Sequence, residues 1–171
     1  DYMFNMDMYG HGVNMHFGSQ SNPDYWGGTI NATGGEYGAG IGAGSWGHSG
    51  HSGNTNHGGA GERLYFYSGT VQANGGRWAA GIGGGMRANG KSITITGGTV
   101  NATGGQYGAG IGGGALANGS GIRISGGEVT VMGGTSAASI GGGSDYGVAY
   151  KSGDQYRGRG SDVTISGDAH V

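Results

Sequence analysis

Three histidines, His48, His51 and His57, fall within ten residues around Trp46 in the run SWGHSGHSGNTNHGGAGER at 45 to 63. Neutral imidazoles at such short spacing can hold Zn²⁺ or Ni²⁺. No carboxylate stands between them, and glycine leaves the run loose, so a solvated polar loop is the competing reading. A second run of equal length, SDYGVAYKSGDQYRGRGSD at 144 to 162, collects Tyr146, Tyr150, Tyr156, Lys151, Arg157 and Arg159. Tyrosine and arginine anchor interfaces because each offers a broad apolar or planar body with a polar tip. Tyr146, Tyr150, Tyr156, Arg157 and Arg159 are therefore the expected contacts for a ligand or partner.

Catalytic chemistry has little to stand on. The sequence holds no nucleophile elbow, HExxH, EF-hand loop or dinucleotide fingerprint. A solenoid lyase or glycosidase needs carboxylates or bases gathered on one face. Glu36, Glu62 and Glu128 occupy unlike positions, and only Asp145, Asp154 and Asp162 come near one another in sequence. Neither an enzymatic activity nor a cofactor is expected. Eight Lys and Arg against ten Asp and Glu, with no basic run, give nothing to track phosphates, so nucleic acid is not an expected partner. No stretch reaches the ~20 apolar residues of a membrane span. Cysteine is absent, which excludes a disulfide framework and thiolate metal sites.

What positions these residues is a repeat. GGTVNATGGQYGAGIGGG at 97 to 114 has near-copies at 27 to 44, 68 to 85 and 126 to 143. The isoleucines that mark them, Ile41, Ile82, Ile111 and Ile140, stand 41, 29 and 29 residues apart. The unit is thus 29 residues, and the first interval carries 12 extra. Before each later copy or after the last stands an apolar-polar-apolar triplet: Leu64-Tyr65-Phe66, Ile93-Thr94-Ile95, Ile122-Arg123-Ile124 and Val163-Thr164-Ile165. That alternation has the period of a strand, not a helix. The 48 glycines recur in register with a single proline, so they are structural and not a sign of disorder.

Stacking the copies aligns like with like: Ile30, Val71, Val100, Val129; Ala32, Ala73, Ala102, Val131; Leu64, Ile93, Ile122, Val163; Phe66, Ile95, Ile124, Ile165. One coil cannot bury its own apolar side, because fixing each residue costs ~1–2 kcal/mol. Neighbouring coils cover one another, and each buried Ile or Val contributes roughly 1.5–3 kcal/mol. The expected fold is all-β, a parallel β-solenoid (β-helix) of 29-residue coils, about five in number, with 19-residue corner insertions at 45–63 and 144–162. Both insertions leave the same corner, three coils or about 14 Å apart along the stack.

Two details of the coil carry alternatives. Paired glycines such as Gly104 and Gly105 fit a corner at positive φ better than a phosphate cradle, which would need a Walker lysine and a following helix. If Ala109 and Ile111 point inward, Gly108, Gly110 and Gly112 point outward. They then form either a bare-backbone face open to another sheet or a sugar ring, or a turn that admits only small residues. Tyr37, Trp78 and Tyr107 align into an aromatic ladder that Ser136 breaks, serving as packing or as a sugar-stacking rim.

MDMYGHGVNMHFGS lies over ITITGGTVNATGGQ without a gap, placing Met6 and Met8 on Ile93 and Ile95, and Val13 and Met15 on Val100 and Ala102. Residues 1–26 are therefore expected to be a degenerate N-terminal half-coil or cap, with 27–171 forming the solenoid. The chain starts at Asp1, as a processed secreted product or an excised fragment would, and Val171 aligns with Val131 in mid-coil. An uncapped coil offers unpaired N–H and C=O groups, so Gly167, Ala169 and Val171 are expected to meet Met6, Met8, Val13 and Met15 of a second copy, head to tail.

The unit ITITGGTVNATGGQYGAGIGGG resembles glycine-rich repeats of secreted and wall-attached surface proteins of gut Firmicutes. More distantly it is similar to parallel β-helix modules that bind acidic plant polysaccharide. The likeness covers 27 to 143 and implies an extracellular or cell-surface β-solenoid without specifying a ligand. The expected function is thus a non-catalytic filament, stalk or adhesin shaft. A carbohydrate-binding surface module is the alternative. Ice binding is a third reading, disfavoured because the outward ladder Tyr65, Thr94, Arg123, Thr164 is mixed and Thr29, Thr70, Thr99 is interrupted by Glu128.

Overall fold

The computed structural model describes residues 12–21, 28–44, 59–145 and 158–171. Thirteen strands form among them: β1 Gly12–Phe17, β2 Thr29–Thr33, β3 Ile41–Gly42, β4 Gly61–Phe66, β5 Thr70–Asn74, β6 Ile82–Gly83, β7 Gly90–Ile95, β8 Thr99–Thr103, β9 Ile111–Gly112, β10 Gly119–Ile124, β11 Glu128–Met132, β12 Ile140–Gly141 and β13 Gly160–Ile165. They sort into three parallel sheets, β1-β4-β7-β10-β13, β2-β5-β8-β11 and β3-β6-β9-β12, so each coil contributes one strand to each sheet. This is the expected all-β parallel solenoid, with four three-strand coils and the opening strand of a fifth.

The inward ladders pair as the repeat requires. Leu64, Ile93, Ile122 and Val163 are neighbours in the first sheet, as are Phe66, Ile95, Ile124 and Ile165. Val71 and Val100, then Ala73 and Ala102, face inward from the second, and Ile82 and Ile111 from the third. In the middle coils Leu64, Ile82, Ile93, Ile95, Ile111, Ile122 and Ile124 are wholly buried. Three short walls thus share one narrow apolar interior, which is why the chain uses so few large side chains.

The first coil corrects one expected register. Met15 pairs with Leu64 and Phe17 with Phe66, so β1 is a first-sheet strand, and Val13 and Met15 do not match Val100 and Ala102. Met6 and Met8 lie outside the described residues. The reason is glycine: the head of every first-sheet strand is Gly12, Gly61, Gly90, Gly119 or Gly160. At Gly12 a Cβ would overlap the Gly42 carbonyl oxygen, as one at Gly61 would overlap that of Gly83. The gapless alignment put Met3 there. Phe17 is followed by eleven residues before Thr29, where later coils use three, so the sequence between these two strands is eight residues longer.

Each first-sheet strand also carries a left-handed residue in its middle: Asn14, Arg63, Ser92, Gly121 and Asp162, all with φ between 53 and 64°. The ladder skips that residue, and Glu62 and Arg63, or Lys91 and Ser92, both lie on the solvent side. Such a bulge bends the strand and breaks strict alternation.

The glycines around the third sheet are not a bare outer face. Gly81, Gly83, Gly108, Gly110 and Gly112 are buried. The chain closes over the two-residue strand, with Ala80 N–H donating to Gly84 O at 2.9 Å and Ala109 N–H to Gly113 O at 3.0 Å. Gly42, Gly83 and Gly112 sit at φ 127, 128 and 135°, and a Cβ on any of them would overlap the carbonyl of the same glycine one coil on. Of the two readings of this side, the turn that admits only small residues is the observed one.

An amide column runs along the corner before the first sheet. Asn118 N–H donates to Asn89 Oδ1 at 2.8 Å, and Arg159 N–H to Asn118 Oδ1 at 2.7 Å. At the far end His170 bridges Glu128, which sets Val171 beside Val129 and not Val131. Counted without a gap from Ile165 on Ile124, Val171 would meet Thr130; the final corner holds one more residue than its predecessors, and the register slips by one to Val129.

Candidate functional site

Between the second and third sheets every coil makes the same tight turn, closed by Gly38 N–H on Gly35 O, Ala79 on Gly76, Ala137 on Gly134 (2.9–3.1 Å) and Gly108 on Gly105 (3.1 Å). Glycine is required at its entrance, where a Cβ on Gly75 would overlap the Ala79 and Ala80 carbonyls. The two central residues of each turn are thereby thrust outward in register. They make two rows: Glu36, Arg77, Gln106, Thr135, all exposed, and Tyr37, Trp78, Tyr107, Ser136, whose three aromatic members are half-buried.

The rings stack along the solenoid axis. Trp78 and Tyr107 lie 4.5 Å apart at 18°, and Tyr37 and Trp78 6.5 Å apart at 16°. Stacked neighbours cover much of each other's faces, so the row presents mainly ring edges, with part of the Trp78 face left by its offset from Tyr37. Arg77 leans along the row: its guanidinium carbon is 5.1 Å from the Trp78 centroid and 5.9 Å from that of Tyr107, and Nε donates to Gln106 Oε1 at 3.0 Å. A guanidinium held this way is flat and oriented. The ladder is thus neither core nor an isolated rim.

The roots of both long insertions abut this ladder. Tyr37 O accepts from Met86 N–H, Trp78 O from Ala115 N–H and Tyr107 O from Ser144 N–H, at 2.8–2.9 Å. Ser144 begins the second insertion, and Gly44, which precedes the first, lies with Tyr37 against Gly85. His48, His51, His57, Tyr146, Tyr150, Tyr156 and Arg157 lie outside the described residues. Arg159 is described and binds through its backbone, accepting Gly119 N–H at 2.9 Å as well as donating to Asn118. Among the described residues no three His, Cys, Asp or Glu gather as a metal site.

The carboxylates diverge. Glu36 is in the turn, Glu62 is on the first sheet 3.6 Å from Lys91 Nζ, and Glu128 is on the outer side of the second. The Thr29, Thr70, Thr99 row is also on that outer side and ends at Glu128.

A second aromatic group sits on the first sheet. His16 stacks on Tyr65 at 4.6 Å, and its Nδ1 is 3.2 Å from the Tyr67 hydroxyl. Burial, and secondarily the neighbouring Tyr65, push the Tyr67 phenol above its ordinary value. Tyr67 was legible as an aromatic at the corner; its partner was not, because His16 falls in the first sheet only in the corrected register.

Among the described residues no helix is long and apolar enough to cross a membrane. Neither a curated protein nor a solved structure matches the chain. A family model described as a beta helix repeat matches residues 26–45, 67–86, 93–115 and 122–144, together half of the chain. Each match spans the turn that carries the aromatic row and the short third strand after it. The chain belongs to the beta helix repeat family.

Proposed function

We propose that this chain is a non-catalytic structural protein, a solenoid shaft secreted or displayed at the cell surface, whose coils stack end to end. The observation that carries this reading is the in-register apolar ladder of the first sheet, which runs unbroken to β13, the outermost of the described strands. Its ladder residues Val163 and Ile165 are 40% and 50% exposed, whereas Ile122 and Ile124, one coil before, are at 0%. Val171, 59% exposed, lies at the same end. A strand edge with apolar ladders in register is a template for one further coil.

β1 offers the matching set: Gly12 at the head, a left-handed Asn14, then Met15 and Phe17 on the ladders. Head-to-tail stacking therefore puts the edge of β1, whose Met15 is half-buried and Phe17 buried, in register with Val163 and Ile165 of the next copy, with Gly167, Ala169 and Val171 at the adjoining corner. Val13, paired with Glu62 and facing outward, drops from the expected interface. The divergent carboxylates and the resemblance to secreted surface repeats support the same reading. Electron microscopy with sedimentation is the test: rods that grow with concentration and fall apart in Val163→Lys with Ile165→Lys are expected, and a monomer at every concentration overturns the reading.

One observation favours carbohydrate binding as a second reading. Trp78, Arg77 and Gln106 join a partly open ring face to planar hydrogen-bonding groups, a combination suited to sugar hydroxyls. Binding on a glycan array that disappears in Trp78→Ala supports it; binding unchanged in that variant excludes this corner.

A further inference from the structure

Glu36 and Arg77 are successive members of one exposed row, one coil or ~4.8 Å apart. Their turns are tied by Trp78 N–H on Glu36 O at 3.1 Å. Opposite charges so close would be expected to pair. They do not pair as Lys91 and Glu62 do at 3.6 Å. Arg77 instead turns away from Glu36, toward Gln106 and over Trp78 and Tyr107. The row therefore offers solvent an anion and an oriented cation side by side, flanked by a half-buried aromatic row.

We propose that this corner is a lateral interface between two copies of the chain, packed antiparallel about a two-fold axis that passes between coils one and two. An isologous contact places residue i on residue j and j on i. Reversing the order Glu36–Arg77 sets each arginine opposite the partner copy's glutamate, so both pairs form at once. A parallel lateral contact would bring like charges together, and the row disfavours it. Nε of Arg77 is held by Gln106, so a carboxylate of the second copy would be taken by the guanidinium's terminal nitrogens. Beside the charges, the aromatic row supplies an apolar centre of the type that dominates small interfaces. The consequence goes beyond end-to-end stacking: rods associate as antiparallel pairs, without a polar sense.

The experiment is sedimentation equilibrium in a Val163→Lys, Ile165→Lys background, where end stacking is suppressed and only lateral pairing is read. A monomer–dimer equilibrium that weakens from about 0.05 to 0.5 M NaCl is expected. Arg77→Glu and Glu36→Arg should each weaken it at least ~tenfold, and the two together should restore it to within ~threefold. Arg77→Gln and Glu36→Gln, which remove charge without repulsion, should weaken it less, and they keep the test decidable if a reversal disturbs the turn. A background protein that stays monomeric overturns the proposal. So does a dimer indifferent to Arg77→Glu, or a double reversal as weak as the single ones. With native ends, corner variants should give unpaired rods of normal length, whereas end variants remove the rods, so the two readings fail separately.

Discussion

Two adjacent segments of each coil obey opposite rules. Across the third sheet the chain is nearly invariant from coil to coil: an isoleucine followed by a glycine, with Ile82 and Ile111 wholly buried and Gly42, Gly83, Gly112 and Gly141 at φ 127–135°. A few residues earlier the two turn positions read Glu-Tyr, Arg-Trp, Gln-Tyr and Thr-Ser. Where one coil's backbone rests on the next coil's carbonyls, no Cβ fits and the sequence cannot vary. Where a tight turn throws side chains outward, each coil chooses its own chemistry. Function in such a solenoid is to be sought at the variable positions that the invariant ones hold in register.

The sharpest way to break this contrast is Gly83→Ala. It adds a Cβ at φ 128° against the Gly112 carbonyl, and should cost at least about 3 kcal/mol in chemical denaturation or prevent folding. Ile111→Ala opens a cavity in the same wall and should cost about 2–5 kcal/mol by the same measurement. At the variable turn the numbers should shrink. Trp78→Ala removes a ring stacked on Tyr107 and should cost about 1–2 kcal/mol, and Ser136→Tyr, which continues the aromatic row, should gain about 0.5–1 kcal/mol in melting experiments.

The smallest expected effect is a pH dependence at Tyr67. Its folded-state pKa is raised, so the neutral phenol favours the fold. That contribution is complete below the ordinary tyrosine value of about 10 and fades as pH climbs through the folded value. Wild-type stability should fall over that alkaline range more than that of Tyr67→Phe. Equal slopes would show that burial of the hydroxyl is not felt.

The inward ladders were legible because repetition does what single-sequence propensity cannot: Leu64, Ile93 and Ile122 identify one another. Three features were not. The left-handed row runs through Arg63 and Ser92 in the middle coils, residue types that do not announce positive φ, so the hints at Asn14, Gly121 and Asp162 do not line up into a row by sequence alone. The register of β1 depended on Gly12, whose necessity follows from the Gly42 carbonyl in another strand. Burial of the third-sheet glycines follows from turns closing over them, which alternation within the strand cannot reveal. At the candidate site the aromatic alignment was readable, but the lean of Arg77 away from Glu36 needed coordinates.

The amide column has a chemical consequence as well as a mechanical one. Asn89 and Asn118 each precede a glycine, a step that ages in flexible chains when the glycine nitrogen attacks the asparagine's own side-chain carbonyl and expels ammonia. Here the Gly90 nitrogen donates to Asn118 O at 3.0 Å and the Gly119 nitrogen to Arg159 O at 2.9 Å, while both side-chain oxygens are held by the following coil. Nucleophile and electrophile are immobilised in separate hydrogen bonds. Every coil therefore lengthens the chemical lifetime of the one before it, and durability becomes a property of the stack.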